Sequence, residues 1–414
     1  FIFDNSYIEE ASVRIELYEN GEYHGNGSGS IITPNGLIAT CSHVVHDQND
    51  IKVVVSFRIS NGQQFKVLNL ADVQLNYAGQ LKDDITIKPT IDKMIKKLNP
   101  TIVTLSGDYG WKGGEGMGKD EILKCVDEIC DCLEEYNINY YFVYGNHDRE
   151  KAKDYELAEV INSHKHGHIE KGIELDNNYG NYTIEIQNQN AKPIHAIYMM
   201  DSHDYFHGEV DRTQVEYRGE GYDKKTIANV KYNRLTPGDS ESPFIVNDVR
   251  YDCIHKDQAD WYDNEVERLN KCESTIITHM PINGFTYAFE NYMDAVNKKE
   301  YDRIKSYKPI GPCRQEETCS GGVYDKVIYE SIQKYGSTKN VIAGHDHIND
   351  FSLLYNDVRF TYAVKTGDGC YWKNDGTMNG ATLLTINDKG VGKVSQHYWN
   401  PFTHQEIDYY EPIL

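Results

Sequence analysis

Short apolar runs alternate with amphipathic stretches from about residue 65 onward. FKVLNLAD (65–72) has strand character and runs into a turn, and IKPTIDKMIKKLN (87–99) has helical spacing. PTIVTLSGD (100–108) predicts a second strand, KDEILKCVDEICDCLEEY (119–136) a long amphipathic helix, and YYFVYGN (140–146) a third strand. The alternation resumes with strands at NYTIEI and IHAIYMMD, a helix at KDQADWYDNEVERLNK and a strand at STIITHM. A helix at YDKVIYESIQKYG then leads to a strand at NVIAGHDH. FSLLYNDVRFTYAVK and GATLLTIND predict antiparallel strands. Strand–helix–strand repetition of this kind predicts an α/β sheet. Residues 204–250 are polar, tyrosine-rich and without clear period, and predict a surface insertion.

What sits at the strand ends changes the picture. The first strand is followed by Asp72 and Gln74, the second by Asp108, and the third by Asn146, His147 and Asp148. His279 follows another strand, and His345 and His347 follow the last. In open α/β sheets the carboxyl ends of strands line one crevice, so these groups are expected to converge. Oxygen and imidazole donors without thiolate suit a pair of ions such as Mn, Fe or Zn. Asp108 can bridge two ions, and two ions can clamp a phosphoryl group and supply hydroxide at neutral pH. A lone GD or GH is only a turn; five in order, each after a β-run, are not.

The set D-x-Q, GD, GNHD, THMP, GHDH resembles the calcineurin-like metallophosphoesterase superfamily, and most closely its purple acid phosphatase-like branch. The resemblance extends to IHKDQADWY and GHDHINDF and spans about residues 62–390. It implies a four-layer αββα sandwich and phosphoester hydrolysis, most readily of monoesters. It implies Asp72, Asp108 and His347 around one ion, and Asp108, Asn146, His279 and His345 around the other. It further implies His147 as proton donor to the leaving group and Asp148 as the residue that orients it. Gln74 stands where that family has His, and an amide oxygen is the weaker ligand. Trp111 replaces the tyrosine that colours true purple acid phosphatases, so no iron–tyrosinate is expected. A different class of function, a catalytically weak binding or structural protein, also follows from the Gln74 departure.

The net charge is −22, which disfavours nucleic acid and anionic membranes and leaves local positive charge for an anionic substrate to the ions. Nine cysteines occur without paired CxxC sets, which argues against a structural zinc site; Cys313 and Cys319 are spaced to close a loop disulfide. A start without a basic, apolar leader fits either a mature secreted chain or a cytoplasmic one, and the sequons at Asn26 and Asn181 fit the secreted one. No run of 18 apolar residues predicts a membrane span.

Residues 12–55 read differently. GNGSGSIITPNGLIATCSHVV resembles the opening of an HtrA-type trypsin-like protease, in which His43 would be the base. Asp84 and Ser320 are the available triad partners, and both fall inside the phosphoesterase-like pattern. About 55 residues cannot build a two-barrel protease. Residues 1–60 are therefore expected to be a non-catalytic β appendage to a phosphoesterase-like domain at 61–414. Its strands need a partner sheet, on that domain or by edge pairing with another chain.

Overall fold

In a computed structural model, residues 54–111, 117–172, 179–205, 251–317, 319, 327–371 and 379–412 are described in full, along with the backbone of Lys326 and of strand segments within 12–53 and 208–232. Two large mixed sheets carry the fold. In the first, Pro193–Met199, Glu273–Thr278, Thr338–Ala343 and Val358–Tyr362 run parallel, with Ser352–Tyr355 and Tyr182–Gln187 antiparallel on either flank. In the second, Gln64–Leu70, Ile102–Ser106 and Tyr140–Val143 run parallel, and Gly380–Asn387, Gly392–Trp399 and Glu406–Tyr410 extend it antiparallel.

Strand periodicity divides the core in two. Ile197, Met199, Ile277 and Ile342 share one apolar cluster with Leu68, Val103 and Phe142 of the opposite sheet. Their alternate neighbours Ala196, Tyr198, Ile276 and Val341 join Tyr262, Phe285, Ile328 and Ile332 from the helices outside. Successive side chains on a strand point to opposite faces, so this partition marks a sheet covered on both sides. Helices Ile87–Leu98 and Lys119–Glu134 pack Ile91, Met94, Val126 and Ile129 on the outer face of the second sheet. The result is the expected helix–sheet–sheet–helix layering.

The strands at FKVLNLAD, PTIVTLSGD, YYFVYGN, STIITHM and NVIAGHDH all form, each ending before the polar residues that close its stretch. The five strand ends come from two sheets that meet at a common rim, so the groups converge across the two sheets of the expected sandwich. Helix Asn283–Asn297 was not foreseen; only Gly284, Phe285, Ala288 and Ala295 of it are buried, too sparse an apolar set to stand out.

The N-terminal strands continue the first sheet. Asp50–Arg58 pairs parallel with Tyr182–Gln187, Val55 opposite Ile184, and Ser12–Glu19 pairs antiparallel onto it. The appendage thus finds its partner sheet within its own chain. His43 and Ser320 lie outside the described residues. Asp84 does other work: its Oδ1 accepts the Thr86 N–H at 2.6 Å and the Ile87 N–H, closing the first turn of helix Ile87–Leu98.

Two features left open by the sequence take definite form. Cys313 and Cys319 are both free thiols; the first faces the Ile310 and Ser352 carbonyls and the second lies beside Gln315. Asn181 is buried, and its Oδ1 accepts the Asp201 N–H at 3.1 Å and Gln258 Nε2 at 2.8 Å, which leaves no room for a glycan on the folded chain. Asn26 lies outside the residues whose side chains are described. Among the described residues no helix is long and apolar enough to cross a membrane.

Candidate metal centre

The strand ends turn sharply. Asp72, Gln74, Asp108 and His345 all take left-handed backbone conformations, with φ between 43° and 73°. Such strain in non-glycine residues persists only where the surroundings over-determine it. Gly107, Gly145 and Gly344, which precede Asp108, Asn146 and His345, must stay small because a neighbouring side chain of the cluster passes over each. A Cβ on Gly145 would lie 2.1 Å from Asp108 Oδ1, and one on Gly344 would lie 2.5 Å from Asp72 Oδ2. The GD, GN and GH pairs of the sequence are therefore one interlocked unit.

On one side of Asp108 the acceptors crowd together. His279 is fully buried and sets its Nδ1 2.8 Å from the Ser106 carbonyl, which fixes Nδ1–H as donor and turns Nε2 inward. That Nε2 lies 3.1 Å from Asn146 Oδ1, 3.2 Å from His345 Nδ1 and 3.4 Å from Asp108 Oδ1. Atoms that all offer lone pairs cannot sit this close without a proton or a cation between them. Burial opposes a charge on His279, but Asp108 overrides it and raises the imidazole to about 10. Burial pushes Asp108 up, yet His279 and then His147 pull it well below the usual carboxylate range. Burial first, and His279 next, lower His345 to about 3. The cluster thus concentrates its positive charge on one nitrogen, as a site shaped for a cation would, and the donor set fits a transition metal.

On the other side Asp72, Asp108 and His347 bring ligand atoms within 4.8 Å of one another. His347 Nδ1 lies 3.0 Å from the Tyr371 carbonyl, and its Nε2 faces Asp72 Oδ1 at 3.4 Å. Gln74 departs from the ligand role. Its Oε1 accepts the Lys365 Nζ at 2.5 Å, and its Nε2 donates to Asp108 Oδ2 at 3.3 Å. The amide turns a donor, not a lone pair, toward the centre.

The leaving-group side also differs from expectation. Asp148 does not touch the His147 ring. Its carboxylate accepts three backbone N–H groups, from Gly145 at 2.7 Å, Tyr109 at 2.8 Å and Asp108 at 2.9 Å. Burial, and then the Asp108 charge, raise it to about 7 despite those bonds. His147 Nδ1 instead meets Glu150 Oε1 at 2.7 Å, while the Trp111 ring packs 5.5 Å away. A stretch as short as GNHDRE cannot say which carboxylate reaches the ring. Lys365 was missed although AVKTGDG repeats the strand-end device: an apolar run, then a polar side chain, then glycine. A lysine is not a metal ligand by type, so it drew no notice.

No protein-family model matches the chain. Among curated proteins the chain is similar to "Probable inactive purple acid phosphatase 14" of Arabidopsis thaliana, 21% identical over 343 residues, 75% of this chain and 72% of that protein. It is also similar to "Probable inactive purple acid phosphatase 29" of the same plant, 20% identical over 355 residues, 81% of this chain and 80% of that protein. A solved dimetal phosphatase from Danio rerio covers 84% of this chain and 99% of its own, at 12% identity and a TM-score of 0.46. The two plant proteins support the resemblance drawn from the strand ends. The protease-like resemblance of residues 12–55 gains no such support.

Aromatic rings border the centre. The Tyr251 ring meets His345 edge-on at 4.4 Å, and Tyr371 lies 4.3 Å from the His347 ring. Tyr205 and Tyr251 stack at 5.6 Å and form an antiparallel bridge. Tyr205 and Tyr251 thus stand together beside the candidate centre; the expected insertion near 204–250 lies almost wholly outside the residues described in full.

Proposed function

We propose that the chain hydrolyses phosphoesters, most readily monoesters, with a metal ion held by Asp108, Asn146, His279 and His345. The observation that carries this reading is the crowd of lone-pair atoms around His279 Nε2. When bound, the ion would polarise the phosphoryl oxygens and activate a water as nucleophile. The Ser106 carbonyl holds His279 in the tautomer that presents Nε2. Asp148 gathers the Asp108, Tyr109 and Gly145 amides and so sets the angle between two of the strand-end turns. His147, half-buried and with its pKa raised by the Asp108 and Glu150 carboxylates against the opposing effect of burial, would protonate the departing oxygen. A bound ion would supply the local positive charge that a surface of net charge −22 denies an anionic ester. Chelator-treated chain should be inactive on a chromogenic aryl phosphate and recover with added Mn, Zn or Fe. Absent turnover in every reconstituted form would overturn the enzymatic reading.

A second reading is a phosphate-binding protein with little turnover. The names of the two plant relatives favour it, as does the inverted Gln74 amide. Metal-dependent binding of inorganic phosphate without turnover of any aryl ester would select it.

A further inference from the structure

The half-site at Asp72 contains a cation of its own. Lys365 is buried, and its Nζ donates to Gln74 Oε1 at 2.5 Å and to the Asp72 carbonyl at 3.0 Å. Lysine nitrogen only donates, so the amide oxygen of Gln74 must face it. The amide NH₂ then faces Asp108 Oδ2 at 3.3 Å. Rotating the amide would set NH₂ against the ammonium and lose both bonds. Gln74 therefore presents no lone pair to an ion.

The lysine is held there by construction. The 365–369 segment runs along 71–74, with Thr366 N–H on the Ala71 carbonyl at 2.8 Å and Gly367 N–H on the Asp72 carbonyl at 3.3 Å. Cβ atoms on Gly367 and Gly369 would lie 1.8 Å from the Val73 and Gln74 carbonyl oxygens. Only glycine permits that approach.

Charge points the same way. Two carboxylates, Asp72 and Asp108, are buried in the centre. An ammonium offsets one of them, which leaves one for an ion. A second dication would sit beside the lysine in a poorly screened interior, where like charges repel strongly.

We propose that Lys365 takes the charge-balancing place of a second ion, so that the chain holds one tight ion on Asp108, Asn146, His279 and His345 and none of comparable affinity beside Asp72. The proposal rests on the metal-dependent reading above. Gln74 and Lys365 form a matched pair: an amide that cannot ligate and a cation that replaces what it would have held.

The test is a calorimetric Mn²⁺ titration of the chelator-treated full chain, with the metal content counted and the paramagnetic resonance spectrum recorded at two equivalents. The expected wild-type result is one tight ion, a second at least about 10²-fold weaker, and the signal of isolated Mn²⁺. The double variant Gln74→His, Lys365→Met should bind a second ion tightly and show exchange-coupled manganese. Two ions of matched affinity, or a coupled signal, in the wild-type chain would overturn the inference while leaving the metal-dependent reading standing. No bound ion at all would overturn both. Should the double variant fail to fold, the wild-type titration and spectrum decide alone.

Discussion

The two sides of Asp108 share a plan, one with His345 where the other has Asp72, and they part most sharply at one amide. Each offers an imidazole whose Nδ1 is tied to a backbone carbonyl, Ser106 for His279 and Tyr371 for His347. Each adds a strand-end residue in a left-handed turn. On one side Asn146 turns its oxygen to within 3.1 Å of His279 Nε2. On the other Gln74 turns its nitrogen inward because Lys365 holds its oxygen. An amide is a ligand only if nothing stronger claims its oxygen. The residue type at position 74 matters less than the neighbour that orients it.

The largest effect should come from the residue both sides share. Asp108→Asn removes the charge that the His279 cluster balances and should abolish tight metal binding, with turnover falling by roughly 10³-fold or more. Metal analysis and aryl phosphate kinetics on the same preparation check it; normal metal content with normal turnover would remove Asp108 from the centre. Next comes the asymmetry itself. His279→Ala should empty the tight site and cost about 10²-fold in metal affinity, whereas His347→Ala should leave the first equivalent of metal bound within a few-fold. Equal losses from the two variants would erase the distinction between the sides.

What the sequence shows of this centre is the set of side chains that meet, because each follows a β-run and a small residue. It shows less of what those side chains do to one another. The resemblance implies that Asp148 orients His147, yet at that turn it points back to three amides and Glu150 takes the ring. Lys365 lies 291 positions from the glutamine it orients, a partnership no local pattern carries. Alternation of strands and helices predicts an α/β sheet, but only the family resemblance implies four layers. Which strand joins which sheet is not legible, since a buried strand reads the same in either. The burial of Asn181, which removes a sequon, likewise depends on Gln258 from a distant helix.

Asp148 yields a smaller effect of a different kind. Asp148→Ala would leave three buried N–H groups without partners, at about 1–3 kcal/mol each before the turn relaxes. A loss of roughly 2–5 kcal/mol of stability is expected in denaturant unfolding, together with weaker metal binding through the displaced Asp108. Unchanged stability would mean that water or a shifted backbone replaces the carboxylate.

The smallest effect tests the leaving-group side. Burial opposes a charge on His147, but the Asp108 carboxylate and the bonded Glu150 carboxylate together hold its pKa above the ordinary value. A bound ion would screen Asp108, leaving Glu150 as the group that keeps the ring charged. A proton donor works in its protonated form, so activity should fall as pH rises through the His147 pKa. Glu150→Gln keeps an oxygen that can accept from Nδ1 and removes the charge, so the His147 pKa should drop and the alkaline limb of the rate profile should move to lower pH. A shift of about one pH unit or less is expected for a partly exposed carboxylate. Turnover below that limb should change by no more than about tenfold, because the ring stays oriented. The shift should be visible with esters of poorly leaving alcohols and fade with well-leaving phenols, which depart without a proton. If the alkaline limb stays in place for every ester, Glu150 merely packs against the ring, and the acid that serves this side of Asp108 must be sought elsewhere.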